Sequence, residues 1–139
     1  MAWQVVASKL DSLWRCLQRV RDRCPESAEK LSQDLDAQDI LSLNLTRAVQ
    51  VCVDIGAHVL ASRAIPAPGT MGETFDLLAS EGLLDPSLAK RMKSAVGFRN
   101  LAVHNYQVVN WAIVFTLATE HLGDFEAFAR SVVGEVEGG

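Results

Sequence analysis

Within FRNLAVHNY, residues 98–106, an Arg, two Asn, a His and the only Tyr of the chain fall inside nine positions. An imidazole moves a proton near neutral pH, and a guanidinium holds a phosphate through paired N–H donors. Together they suffice for RNA cleavage without a metal ion. His104 would take the proton of a 2′-hydroxyl or return one to the leaving oxygen, and Arg99 would stabilise the charge on a pentavalent phosphate. Asn100 would add a hydrogen bond or orient the imidazole. Spacing alone also allows a plainer account, in which His104 is a satisfied helix-end histidine and the basic residues are a solvated face.

A second polar feature runs through LTRAVQVCVDIGAHVL. At about 100° per residue, Arg47, Gln50, Asp54 and His58 fall on one stripe about 80° wide, flanked by Leu45, Val49, Cys52, Val53, Ile55 and Val59. Arg47 and Asp54 on so apolar a helix either pair or line a cleft, because an unpaired buried charge is costly. A structural salt bridge or a solvated face would satisfy the same pattern. Lys90, Arg91, Lys93 and Arg99 form a local basic segment able to steer one RNA to one place.

The elements that must position these groups read as helices. Val6, Leu10, Leu13, Leu17 and Val20 recur at spacings of three and four, predicting a helix from Met1 to about Arg23 that stops at Cys24-Pro25. A polar connection, ESAEKLSQD, follows, with room for one helical turn in it. A long apolar helix is predicted from Leu35 to Ala64, ended by Pro66, Pro68 and Gly69. A short one spans Thr70–Glu81, turning Phe75, Leu78 and Ala79 inward. Asp85-Pro86 opens a fourth that carries Leu88, Met92, Ala95 and Val96 into the motif. VNWAIVFTLATEHL makes a fifth, FEAFARSVV a short terminal one, and residues 134–139 are expected to fray.

The sum is an all-α bundle of five to six helices in a single domain, residues 1–139. Apolar residues make up 49% of the chain, ample for one core. A net charge of −4 argues against a protein that coats nucleic acid non-specifically. The three cysteines, Cys16, Cys24 and Cys52, lack CxxC or zinc-ligand spacing and read as reduced, packed thiols of a cytoplasmic protein. MAWQVVASKL lacks the pattern of a signal peptide, and VVNWAIVFTLA is too short to span a bilayer, so no membrane association is expected.

On one straight helix Arg99 and His104 point about 140° apart. Either the helix bends or ends near His104, or the site combines groups from two copies of the chain, with the motif helices at the seam.

Arg99-x4-His104-x-Tyr106 has the form of the R-x4-6-H signature of the HEPN superfamily, in the RxxxxHxY version that resembles the HepT toxin family. LTRAVQVCVDIGAHVL, GETFDLLASEGLL, GFRNLAVHNYQ and DFEAFARSV resemble that family in the same order, covering most of the chain. The resemblance implies an all-helical homodimer with its motif cleft between subunits. It also implies a toxin that acts as a metal-independent ribonuclease, with tRNA among its targets. The implied antitoxin is an MntA-type minimal nucleotidyltransferase that uses ATP to place AMP on the motif tyrosine. Carried onto this sequence, Arg99 and His104 are the catalytic pair, Asn100 is their neighbour and Tyr106 is the AMP acceptor. Periodicity adds Asp54, with Arg47 on the same stripe, as support: Asp54 would pair with Arg99 and hold it in place. No metal and no resident cofactor is called for, and the roles of His58 and His121 stay open. The alternative is a non-catalytic helical module that docks a nucleotidyltransferase.

Overall fold

In the computed structural model, which describes residues 2–137, α1 spans Ala2–Arg23, α2 Ala28–Gln33, α3 Leu35–Ser62 and α4 Met71–Ser80. α5 spans Pro86–His104, a 3-10 turn Tyr106–Val108, α6 Trp111–Glu120 and α7 Leu122–Glu137. There is no strand among the described residues. The all-α expectation holds, with seven α-helices in place of five or six. The added one is α2: in the connection expected to be mostly irregular, Ser27 Oγ accepts from Lys30 N and starts a six-residue helix. Asp34 ends it and, through its carboxylate and Ala37 N, caps α3 at once. α7 extends through Glu137, and residues 138–139 of the tail expected to fray lie outside the described residues.

Local signals fix the remaining ends. Thr70 and Glu73 form a reciprocal capping box at α4. Asp85 caps α5 with Pro86 in its first turn, and Asn110 Oδ1 accepts from Ala112 N at the start of α6. α3 closes with Ala64 in the left-handed region (φ 59°) and Ile65 N donating to Leu60 O at 3.1 Å.

α3 is the axis of the molecule, packed by α1, α2, α4, α5, α6 and α7. By length and composition alone it could cross a membrane, yet 56% of its most apolar window is buried against those neighbours. α1 presents Val6, Leu10, Leu13, Leu17 and Val20 to it, all buried as their periodicity predicts. The Lys9–Asp54 ion pair (3.3 Å) records the antiparallel run of these two helices. Below, Phe75 of α4 meets Phe128 of α7 edge-on at 5.5 Å. Leu88, Met92, Ala95 and Val96 bury the inner side of α5, which leaves its C-terminal turns at the surface.

Candidate active site

α5 runs antiparallel to α3, and two contacts set the register. Arg99 near the end of α5 meets Gln50 in mid-α3, and Tyr106 just beyond α5 meets Asp39 near the start of α3. Both α3 residues lie on one helical stripe: eleven residues apart, they differ by only about 20°.

Arg99 is half-buried. Its Nη1 donates to Asn100 Oδ1 at 3.1 Å and its Nη2 to Gln50 Oε1 at 3.5 Å, a long bond. Its Nε is buried without a partner, so the protein satisfies this fork only in part. Asp54 does not pair with Arg99, contrary to the periodicity argument. One Asp54 oxygen accepts from Gln50 Nε2 at 2.9 Å and the other faces Lys9 Nζ at 3.3 Å. Asp54 lies one turn too far along α3 and acts through Gln50. The carboxylate takes the amide's donor end, which turns its acceptor end to the guanidinium.

His104 is the last residue of α5, exposed and without a side-chain hydrogen bond among the described residues. Asn105 caps the helix, its N–H donating to Leu101 O at 2.8 Å. Of the alternatives raised by the 140° divergence, the helix does end here, but only after both residues have taken helical positions. Arg99 and His104 therefore still diverge within one chain.

Tyr106 opens the 3-10 turn. Its hydroxyl donates to Asp39 Oδ1 at 2.7 Å, and its ring meets Trp111 edge-on at 5.6 Å. The residue keeps 37% of its surface exposed. Partial burial, reinforced by the hydrogen bond to Asp39, pushes its phenol up to about 12. Asp39, Ser42, Thr46, Ala102 and Tyr106 line one open pocket between α3 and α5.

Other sequence candidates stand apart. Arg47 is exposed on the α1 side, where its charge acts on the Cys16 thiol. His58 is half-buried with Nε2 unpartnered, and His121 binds Asp124 at 3.1 Å between α6 and α7. Half of the basic segment is paired: Arg91 with Asp124 at 3.0 Å and Lys93 with Asp76 at 2.9 Å, leaving Lys90 and Arg99. Asp39 and Lys9 were missed. Asp39 extends the Gln50 stripe toward the N-terminus, and following that stripe past Arg47 would have found it.

Residues 13–132 match the ribonuclease HepT-like family. Over 131 residues, 94% of this chain and 98% of the relative, the sequence is 33% identical to the mRNA nuclease HepT of Shewanella oneidensis. Over 128 residues, 92% of this chain and 87% of the relative, it is 24% identical to the tRNA nuclease HepT of Aphanizomenon flos-aquae. The fold is similar, with a TM-score of 0.86 and 33% identity, to the tri-AMPylated HEPN toxin of Shewanella oneidensis solved in complex with its MNT antitoxin. That similarity covers 92% of this chain and 96% of the other.

Proposed function

The chain belongs to the HepT-like ribonuclease family, and from that premise we propose that it is the toxin of a toxin–antitoxin pair, an endoribonuclease that cuts RNA without a metal ion. The strongest support is the state of the motif. Asn100 and His104 are exposed at the end of α5, Arg99 stands half-buried beside them, and Tyr106 follows in the 3-10 turn, where no core packing requires an Arg or a His. His104 offers an uncommitted imidazole for proton transfer. Arg99, held from behind by Gln50 and flanked by Asn100, offers donors to the phosphate as charge develops on it.

The divergence of Arg99 and His104 asks for a second copy of the chain. Leu101, Val103, Val108 and Ile113 are apolar and exposed around the motif, and the homodimer we propose covers them and brings two motif helices to one cleft. The partner we propose is an MntA-type nucleotidyltransferase antitoxin that transfers AMP to Tyr106. The added phosphate and base would exclude RNA by charge and by volume. The substrate is RNA in the cytoplasm; the names of the two relatives point to mRNA and tRNA as the classes to try.

The test is cleavage of purified mRNA and tRNA in the presence of a chelator. Wild type should cut at least one. Arg99→Ala and His104→Ala should each lose roughly 10²–10⁴-fold in rate with helicity unchanged. If both variants retain the growth effect of wild type and still bind the antitoxin, a non-catalytic docking module is what remains.

A further inference from the structure

We propose that Asp39 is the catalytic base for modification of Tyr106, so that the acceptor of the AMP group carries its own proton acceptor on the neighbouring helix. The inference rests on the reading of Tyr106 as that acceptor. It goes beyond that reading by assigning part of the transfer chemistry to this chain.

The geometry is that of a poised nucleophile and base. The Tyr106 hydroxyl donates to Asp39 Oδ1 at 2.7 Å, within the range for proton transfer along an existing hydrogen bond. Asp39 is exposed on α3, has no other hydrogen bond among the described residues, and makes no ion pair there. A carboxylate held by a salt bridge would be a weaker base. The edge of Trp111 and the pocket wall set the phenol ring so that its oxygen stays on the Asp39 side. Around the hydroxyl, α3 supplies Asp39 and the uncharged Ser42, and α6 lays the uncharged Trp111 against the ring. Among these, Asp39 is the titratable group bonded to the phenol.

The step balances with ATP as co-substrate. The Tyr106 oxygen attacks the α-phosphorus, its proton passes to Asp39 Oδ1, the bond from the α-phosphorus to the bridging oxygen breaks, and pyrophosphate leaves. The phenol needs this help. Its surroundings hold it in the neutral form, since burial and the adjacent carboxylate together outweigh the opposite pull of Ser42, so the proton must leave as the new bond forms. Once AMP is attached, its phosphate lies beside the Asp39 carboxylic acid, which returns its proton to solvent. No ion pair among the described residues then holds Asp39 in place.

The experiment uses the full chain with its antitoxin nucleotidyltransferase and ATP, following AMP addition by intact mass from pH 6 to 9. Wild type should react at a rate nearly independent of pH above neutrality. Asp39→Asn, which keeps shape and hydrogen bonding, should slow by about 10²-fold at pH 7 while still forming the complex. Its rate should rise about tenfold per pH unit as hydroxide and phenolate replace the missing base. Asp39→Glu should recover much of the rate. An Asp39→Asn rate equal to wild type, or lowered by the same factor at every pH, overturns the proposal. AMP addition to Tyr106→Phe as fast as to wild type, or none to wild type, overturns the acceptor assignment itself and this inference with it.

Discussion

Gln50, and not Asp54, is the α3 residue that touches Arg99, at 3.5 Å, and its amide is oriented by the 2.9 Å bond it gives to Asp54. A neutral side chain thus stands between the carboxylate and the guanidinium. Arg99 is aimed without being neutralised, which leaves its charge for a phosphate.

Replacing that amide should test the point. Gln50→Ala removes one long hydrogen bond to a charged group and should cut RNA cleavage about threefold to tenfold, the equivalent of roughly 0.5–1.5 kcal/mol. Gln50→Glu should be worse, because a carboxylate against Arg99 competes directly with the substrate phosphate. Steady-state cleavage rates for the two variants decide it: a harmless Gln50→Glu would refute the aiming role.

Val103 is 49% exposed and Leu101 37%, both beside the motif. Val103→Glu should convert the proposed dimer to monomer in light scattering and abolish cleavage together, while the monomer keeps its helicity. Cleavage by the monomeric variant at the wild-type rate would show that one chain suffices.

Tyr106 is the only tyrosine, so tyrosinate absorbance near 295 nm reports it alone. The midpoint should lie near 12, above the ordinary phenol value of about 10. A raised folded-state value means the fold favours the neutral phenol. Its contribution to stability is therefore complete below pH of about 10 and is lost as pH climbs through about 12. Asp39→Asn should lower the midpoint while leaving it above 10, because burial, the larger cause, remains.

Two backbone positions in and after α3 should shift stability in opposite directions. A Cβ on Gly56 would sit 2.7 Å from Thr74 Cγ2 and 3.0 Å from Leu78 Cδ1, and Thr74 is buried and stiff at χ1. Gly56→Ala should cost about 1–3 kcal/mol in urea unfolding. Ala64 occupies the left-handed region that glycine favours, so Ala64→Gly should stabilise by roughly 1 kcal/mol.

The thiols should label in order of access. Cys24 is half-buried, whereas Cys16 and Cys52 are buried; burial pushes all three thiols up. A disulfide reagent at pH 8 should modify Cys24 first and Cys52 only on unfolding, as peptide mapping over time would reveal.

Much of the architecture was written in periodicity. The buried faces of α1 and α5 and the caps at Asp85 and Thr70 could be read from spacing and residue type. α2 could not, because six mostly polar residues carry too little pattern; its cap at Ser27 was the only cue. The polar stripe was placed on the correct face of α3, but periodicity fixes an angle and not a height. Which stripe residue meets Arg99 depends on how far α5 slides along α3. The same limit hid the Tyr106–Asp39 bond, which joins residues 67 positions apart. Charge counting likewise took Arg91 and Lys93 as free, because their partners Asp124 and Asp76 belong to other helices.

The two working ends of the motif are tied to parts of the molecule that melt differently. Arg99 meets Gln50 of mid-α3, which lies among the buried Val49, Cys52 and Val53, so that contact residue is released only in an opening that approaches global unfolding. Tyr106 sits on a three-residue turn held by two backbone bonds of 3.2 Å, from Val108 N to Asn105 O and from Val109 N to Tyr106 O. Amide exchange should accordingly be fast from Tyr106 to Val109 and slow at Gln50. On the proposed roles of the two residues, Tyr106 could be opened to another enzyme at little free-energy cost while the α3 residue that contacts Arg99 stays in place.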